Sequence, residues 1–173
     1  ISFRVVDNFV NGYGLTWNVT ERVQVFTNPL WLFVHIPFYF VTKEIFLSTI
    51  FISVLFDIAT FLISARLFKS SVSFIFAFLL IPLVLSRSFT EYATSGLENP
   101  LTFFFLAWFC MVIFRKTKLS SFSFIFYCFL VAGLAAVNRL DTLIFYLPTL
   151  LFLFISRFSH KVLMAVLLGL LPL

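Results

Sequence analysis

The chain has 173 residues, of which 62% are hydrophobic and only 11% are charged, and this balance excludes an ordinary soluble domain. Its formal net charge is +5, but the basic residues are scattered between long apolar runs, which argues against a nucleic-acid partner. The composition instead indicates an all-α polytopic membrane protein, in which the charges mark the connections between spans.

The first predicted element is an outer polar loop over residues 1–44. Residues 1–28 contain an N-G-Y-G sequence, which predicts a turn, and several amide and hydroxyl side chains. Arg4, Asp7 and Asn8 are spaced to share one helical face. This pattern fits a loop that binds a polar ligand, and it equally fits an ordinary loop held by Arg4–Asp7 and Arg22–Glu21 pairs.

Within this loop, segment 29–41 is apolar but too short to cross a bilayer, and it contains Pro29 and Pro37. Counting it as a span would move either the later basic connectors or the N-terminal polar residues to the other face. We therefore predict an interfacial or re-entrant segment, with Trp31 and Tyr39 suited to the level of the lipid headgroups.

Six apolar runs then approach the roughly 20 residues that are needed to cross the hydrocarbon of a bilayer. They lie at about 45–65, 70–86, 100–115, 120–137, 142–157 and 161–173, the last of which is truncated. Because the connectors between them are short, these runs predict up-and-down transmembrane helices.

The connectors that follow the first, third and fifth spans contain basic residues and no acids. By the positive-inside rule they face the cytoplasm, so residues 1–44, 87–99 and 138–141 face outward. This predicted outer face holds six of the seven acids, which are Asp7, Glu21, Glu44, Glu91, Glu98 and Asp141.

Two polar residues interrupt apolar segments. Asp57 lies near the middle of the first span, where an ionisable group is costly, so it is either functional or hydrogen-bonded to a neighbouring helix. His35 has no second metal ligand nearby in the sequence, which favours a packing role over metal binding.

Two short polar motifs lie on the predicted outer face. Glu98 stands just before Pro100 at the mouth of a helix, where a carboxylate can accept a proton or hold a metal ion, or can simply be stabilised by the helix dipole. The turn N-R-L-D supplies Arg139 and Asp141, which either clamp a phosphate or pair with each other.

Four segments resemble, in chain order, the motifs of a bacterial family of membrane glycosyltransferases with the GT-C fold. They are ISFRVVDNFVNGYGLTWN, ERVQVFTNPLW, TSGLENPL and NRLDTLIFYLP. The family includes AftB-like arabinofuranosyltransferases and ZomB-like flagellar motor-control proteins. The resemblance covers most of the chain, and it implies a GT-C-like helix bundle in the cell inner (cytoplasmic) membrane with a periplasmic active face.

The resemblance implies transfer of a sugar from a polyprenyl-phosphate donor to a glycan, lipid or protein acceptor. A divalent cation, Mg²⁺ or Mn²⁺, is the candidate cofactor. Glu98 in S-G-L-E-N-P-L matches a second acidic motif of the family and is our candidate catalytic residue and metal ligand. The resemblance places an Asp-Asp pair, with the expected general base, before Ile1.

Glycosyl transfer needs a carboxylate for the acceptor hydroxyl and cationic help for the departing phosphate. Arg4 and Arg139 are therefore our phosphate candidates. The other predicted substrate-binding residues are Asn8, Glu21, Asn28 and Asp141.

Two other classes of function stay open. A non-catalytic membrane component, such as a flagellar motor-control protein, is compatible with the same fold. A transporter or lipid flippase is suggested by Asp57, although the sequence has no visible inverted repeat.

Overall fold

The computed structural model describes residues 2–20, 27–67, 86–114, 121–156 and 160–172, and this part of the chain is helical without strands. Its helices are α1 Ser2–Val10, α2 Pro29–Thr42, α3 Ile45–Leu67, α4 Arg87–Thr94, α5 Asn99–Phe114, α6 Ser121–Asn138, α7 Leu143–Ser156 and α8 His160–Gly169. A short 3-10 turn over Leu140–Thr142 joins α6 to α7. The prediction of an all-α chain is confirmed for these residues, whereas most of the predicted span 70–86 lies outside them.

The N-terminal helices α1 and α2 pack on each other. Val5 and Val6 on α1 are fully buried against Leu32 on α2. The predicted N-G-Y-G turn follows α1, with Gly12 and Gly14 at φ values of 85° and 83°. These left-handed conformations are accessible to glycine without a steric penalty, so the turn reverses the chain directly after α1.

Helix α2 begins at Pro29, a residue suited to a first helical position because its missing N–H has no helical partner there. Its Trp31 side chain is only 1% exposed, and the indole Nε1 donates a hydrogen bond to the Gly96 carbonyl over 3.0 Å. The Tyr39 hydroxyl donates to the Asp7 carboxylate. The folded chain thus buries Trp31 as a link between α2 and the turn before α5, and the level of this residue relative to the lipid headgroups stays a prediction.

Helices α3 and α5 run in the same direction. Thr49 in the first turns of α3 lies beside Gly96, which precedes α5, and seven residues further along α3 the Phe56 ring lies 5.3 Å from that of Phe104. From the first contact to the second, the position moves toward the C-terminus on both helices, so α3 and α5 are parallel. Leu67, at the end of α3, therefore lies at the opposite end of the bundle from Gly96.

The remaining long helices complete the same end of the bundle. Asn138 at the end of α6 donates a hydrogen bond to Thr102 at the start of α5. Further along, the Phe109 ring of α5 lies 4.9 Å from the Tyr146 ring of α7. The starts of α3, α5 and α7 and the end of α6 thus meet, and we call this region, which includes Thr49, Glu98 and Arg139, the polar end of the bundle.

Within the described residues, α3 is the one helix that is both long and apolar enough to cross a membrane. Its 23 residues span about 34 Å at 1.5 Å per residue. Helices α2, α5, α6 and α7 are apolar but shorter. The all-helical class is therefore established for the described residues, and the polytopic GT-C arrangement stays a prediction.

Candidate functional site

Two polar motifs that are 40 residues apart in the chain meet at the polar end. Glu98 immediately precedes α5, and its carbonyl accepts a hydrogen bond from the Thr102 backbone N–H over 3.1 Å. The fully buried Asn138 donates from Nδ2 to Thr102 Oγ1, over 3.0 Å, and to the Glu98 carbonyl, over 3.4 Å. Asn138 therefore joins S-G-L-E-N-P-L to N-R-L-D.

The Arg139 guanidinium connects the side chains of both motifs. Its Nε and Nη2 donate to the two carboxylate oxygens of Asp141, over 3.0 and 2.8 Å. Its Nη1 donates to Asn99 Oδ1 over 3.1 Å and lies 3.4 Å from Glu98 Oε1. One cation is thus shared between two acids, and its bond to Asp141 is of the strong bidentate type.

The charges of this pair are mutually stabilised. The hydrogen bond from Arg139 is the main reason that the pKa of Asp141 lies below its usual range, and the same bond raises the pKa of Arg139. Both groups therefore remain charged at neutral pH. Because the Asp141 side chain is 65% exposed, solvent screens the pair, and its contribution to stability is small.

The side chains surround a surface pocket of about 310 Å³ at the polar end. Its lining residues are Thr27, Asn28, Glu98, Arg139, Leu140 and Asp141. The Glu98 side chain is only 12% exposed, so its carboxylate is held within the wall rather than extended into solvent. Four of the predicted site residues, one from the first polar loop and three from later motifs, thus share this pocket.

Three other predicted site residues are not described as part of this pocket. The Arg4 guanidinium lies over the Trp17 ring, 4.8 Å from its centroid. Asn8 Nδ2 donates to the carbonyls of Thr16 and Trp17, over 2.8 and 3.0 Å, and so holds the N-terminal loop closed. Glu21 lies outside the described residues. The positions of Arg4 and Asn8 indicate that these side chains organise the loop.

The alternative pairing of Arg4 with Asp7 is not what organises this loop. The Asp7 carboxylate accepts hydrogen bonds from Tyr39 and from Asn11 Nδ2, the latter over 2.9 Å. Asp7 thereby ties α1 both to the following turn and to α2. The hydroxyl bond to Asp7 is also the main reason that the pKa of Tyr39 is raised.

Sequence reasoning did not single out three residues that build the site, Asn99, Thr102 and Asn138. Each is a polar residue next to or within an apolar run, and each lies within four residues of a residue that was selected. Thr102 stands one helical turn after Glu98, and Asn138 directly precedes Arg139. This spacing in the sequence could have identified the three residues, but it does not show that the turn at Glu98 packs against the turn at Arg139.

The described residues do not fit the implied divalent cation. Among them, no group of three or more His, Cys, Asp or Glu side chains is close enough to hold a metal ion. The carboxylates of Glu98 and Asp141 are already shared by the Arg139 guanidinium, whose positive charge opposes a second cation between them. We therefore derive no step from a metal ion.

His35 and Asp57 lie away from the pocket. The His35 ring is 1% exposed, 4.4 Å from the Trp31 ring, and its Nδ1 lies 2.8 Å from the Trp31 carbonyl oxygen. Burial lowers the pKa of His35. Asp57 is buried on α3, one helical turn beyond the buried Ser53. The environment of His35 is that of a packed core side chain.

No protein-family model, curated protein or solved structure matches this chain.

Proposed function

We propose that this chain is part of a GT-C-type glycosyltransferase of the cytoplasmic membrane, which transfers a sugar from a polyprenyl-phosphate donor to an acceptor at the outer face. The observation that carries the proposal is the shared pocket. Asn28, Glu98 and the pair Arg139–Asp141 come from three separate polar segments, yet they line one cavity at one end of an apolar bundle. The motif resemblance supports the same assignment.

The outward surface of the bundle supports a membrane setting. A soluble monomer rarely exposes apolar patches larger than a few hundred Å². Large apolar side chains on α3 are between 43% and 66% exposed: Phe46, Leu47, Phe51, Val54, Leu55, Ile58 and Leu62. Helix α7 has a similar outward row, formed by Ile144, Phe145, Leu147, Leu151, Phe152 and Ile155. Lipid would cover both surfaces.

The direction of the helices supports the proposed orientation. Arg66 is in the last turn of α3, at the end of the bundle away from Glu98. A basic residue at one end and a polar pocket at the other match the charge asymmetry that the positive-inside rule describes. In this arrangement the pocket opens toward the outer headgroup region, where a polyprenyl phosphate presents its sugar.

The proposed reaction replaces the bond between the sugar's anomeric carbon and the donor phosphate by a bond to an acceptor oxygen. The acceptor hydroxyl must lose its proton to a base, and the departing phosphate takes the electron pair of the broken bond. We assign Glu98 to the substrate itself, because a carboxylate held in the wall by Arg139 can orient a sugar hydroxyl.

The test uses the full-length protein in lipid nanodiscs with radiolabelled polyprenyl-phosphate pentoses and hexoses. We expect transfer by the wild type, and a decrease of about 100-fold in Glu98→Gln, which keeps the size of the side chain but removes its charge. Glu91→Gln is the matched control, because Glu91 is an exposed acid on α4 that pairs with Arg87. Its activity should equal that of the wild type.

Two results would contradict the proposal. If Glu98→Gln transferred the sugar as well as the wild type does, Glu98 would have no role in the mechanism. If the wild type transferred none of the sugars, the protein would not be a glycosyltransferase of this class, and a non-catalytic membrane component would become the favoured function.

A further inference from the structure

We propose that the pocket binds the hydroxyl groups of an uncharged sugar, and that the phosphate of the donor binds elsewhere. The inference rests on the proposed function for the identity of the substrates and specifies which part of them this pocket holds. It replaces the prediction that Arg139 binds phosphate. Three features of the pocket support this inference: the distribution of charge, the available hydrogen-bonding groups and the volume.

The charge at the pocket is unfavourable for a phosphate. Glu98 and Asp141 are two acids, and Arg139 is the one cation among the residues that line the cavity in the described part of the chain. The cluster therefore has a formal charge of −1. A phosphate that entered here would approach two carboxylates, and like charges at close range repel each other.

The guanidinium is also occupied. Arg139 binds phosphates well only when its planar fork of N–H groups can face the ligand. Here Nε and Nη2 each donate to Asp141, which occupies the edge of the fork suited to bidentate binding, and Nη1 donates to Asn99 beside Glu98. A phosphate that bound the Nε and Nη2 edge in the bidentate mode would have to displace Asp141 and break two charge-assisted hydrogen bonds, which are stronger than bonds between neutral groups.

The groups that remain available match sugar hydroxyls. A hydroxyl both donates and accepts hydrogen bonds, and each carboxylate oxygen can accept more than one. Asp141 and Glu98 can therefore accept from a sugar while they remain bound to Arg139. Asn28 also lines the pocket; its Oδ1 accepts a bond from Thr27 Oγ1 over 3.1 Å, and its amide group is a donor.

The shape of the pocket is suited to one sugar ring. Its volume of about 310 Å³ is at the small end of the range for small-molecule sites, which is about 300–1,000 Å³. Leu140 is 69% exposed at the edge of the pocket and offers an apolar surface for the C–H face of the ring. Because Glu98 is almost completely buried, its carboxylate is oriented before the ligand binds, which lowers the entropic cost of binding.

The experiment measures binding to the full-length protein in nanodiscs by saturation-transfer difference NMR. The probes are neutral methyl pyranosides and methyl furanosides, with inorganic phosphate as the competitor. We expect signals from at least one glycoside and no displacement by phosphate. From titrations of these signals we also expect a Kd at least about 10-fold higher in Glu98→Gln and Asp141→Asn, since each removes a charged acceptor; a 10-fold change in Kd corresponds to about 1.4 kcal/mol.

The Asp141→Asn variant separates the two kinds of ligand. Loss of this carboxylate frees two donors of Arg139 and makes the lining residues formally neutral. If the pocket holds sugar, this variant loses the glycoside and begins to bind phosphate; if the pocket holds phosphate, the wild type already binds it. Asn28→Ala gives a second test that leaves the Arg139 cluster in place, and Glu91→Gln should bind as the wild type does.

Phosphate that displaces the glycoside from the wild type, or glycoside binding that survives in all three pocket variants, would overturn the inference. The absence of any glycoside signal would also overturn it. Failure of the proposed function is distinguishable, because glycoside binding without any sugar transfer contradicts the enzyme and leaves the sugar pocket intact. Sugar transfer together with phosphate binding in the pocket would support the proposed enzyme and contradict the sugar pocket.

Discussion

The Asn138 side chain, in the last turn of α6, donates a hydrogen bond from Nδ2 to Oγ1 of Thr102, in the first turns of α5, over 3.0 Å. Asn138 is completely buried, so water cannot replace this bond. Because Arg139 follows Asn138 in the chain and Glu98 lies one turn before Thr102, the bond sets how closely the Arg139 guanidinium approaches the Glu98 carboxylate.

Replacement of Asn138 by Ala should destabilise the full-length protein by about 1–3 kcal/mol, because it removes the buried hydrogen bonds from Asn138 Nδ2 to Thr102 Oγ1 and to the Glu98 carbonyl. Unfolding in detergent micelles measures the change. Thr102→Val should weaken the same contact, so the double variant should lose less stability than the two single losses together. Ser95→Ala, at an exposed serine, is the control. Fully additive losses would show that the two side chains do not act through a shared bond.

Gly96→Ala should be more destabilising than Gly12→Ala. Both glycines have positive φ values, 78° and 85°, so both variants pay about 1–2 kcal/mol for a left-handed residue. A Cβ on Gly96 would also lie 2.7 Å from Phe3 Cζ, whereas nothing lies within 4 Å of a Cβ on Gly12. The difference between the melting temperatures of the two variants measures how much of the destabilisation comes from the steric contact with Phe3.

A third variant tests the cause of that difference. Phe3→Ala removes the ring that a Cβ on Gly96 would meet. Added to Gly96→Ala, it should therefore cost less stability than Phe3→Ala costs in the wild type. An equal cost in both backgrounds would mean that the Phe3 ring is not the obstacle.

Trp31→Phe should cost about 1 kcal/mol, since Phe fills most of the same volume but leaves the Gly96 carbonyl without its indole donor. The change should appear in denaturant unfolding and as faster amide exchange in the turn before α5. Tyr13→Phe is a control at a 57% exposed side chain. Unchanged exchange near Gly96 would mean that this bond does not hold α2 to the turn.

Stability should decrease as the pH falls below about 6.5, the ordinary pKa of histidine, because burial lowers the pKa of His35 in the folded chain. In that range the unfolded chain binds a proton that the folded chain resists, so the contribution is fully present above pH 6.5 and is lost on acidification. Unfolding at pH values from 7.5 to about 5 measures the slope. His35→Gln should reduce the slope, whereas His160→Gln should retain it; a slope that persists in His35→Gln would assign it to another group.

Cysteine labelling tests the proposed orientation. In a background with Cys110 and Cys128 replaced by Ala, Thr94→Cys should react with a membrane-impermeant thiol reagent from outside intact spheroplasts. Thr117→Cys, in a basic connector outside the described residues, should react after the membrane is opened. The reverse pattern would place the pocket on the cytoplasmic face, and reaction of both positions without lysis would contradict a membrane-spanning α5.

The sequence by itself determined where the helices lie. The apolar runs predicted at 100–115, 120–137 and 142–157 correspond closely to α5 at Asn99–Phe114, α6 at Ser121–Asn138 and α7 at Leu143–Ser156. The reason is local: a long apolar run without glycine or proline clusters forms a helix, and a polar turn such as S-G-L-E-N-P marks where the helix begins. Glu98 and Arg139 were selected because each lies in a polar segment between two apolar runs.

Only the tertiary structure decided which of these residues meet. Asn28 joins Glu98 and Arg139 in one pocket, whereas Arg4 lies over Trp17, and Trp31 is buried although its sequence context suits a membrane surface. In helices that are apolar on every side, periodicity does not identify the face that packs against protein, so contacts between distant turns cannot be read from it. The charge state of the pocket likewise depends on two acids sharing one guanidinium across 40 residues of sequence.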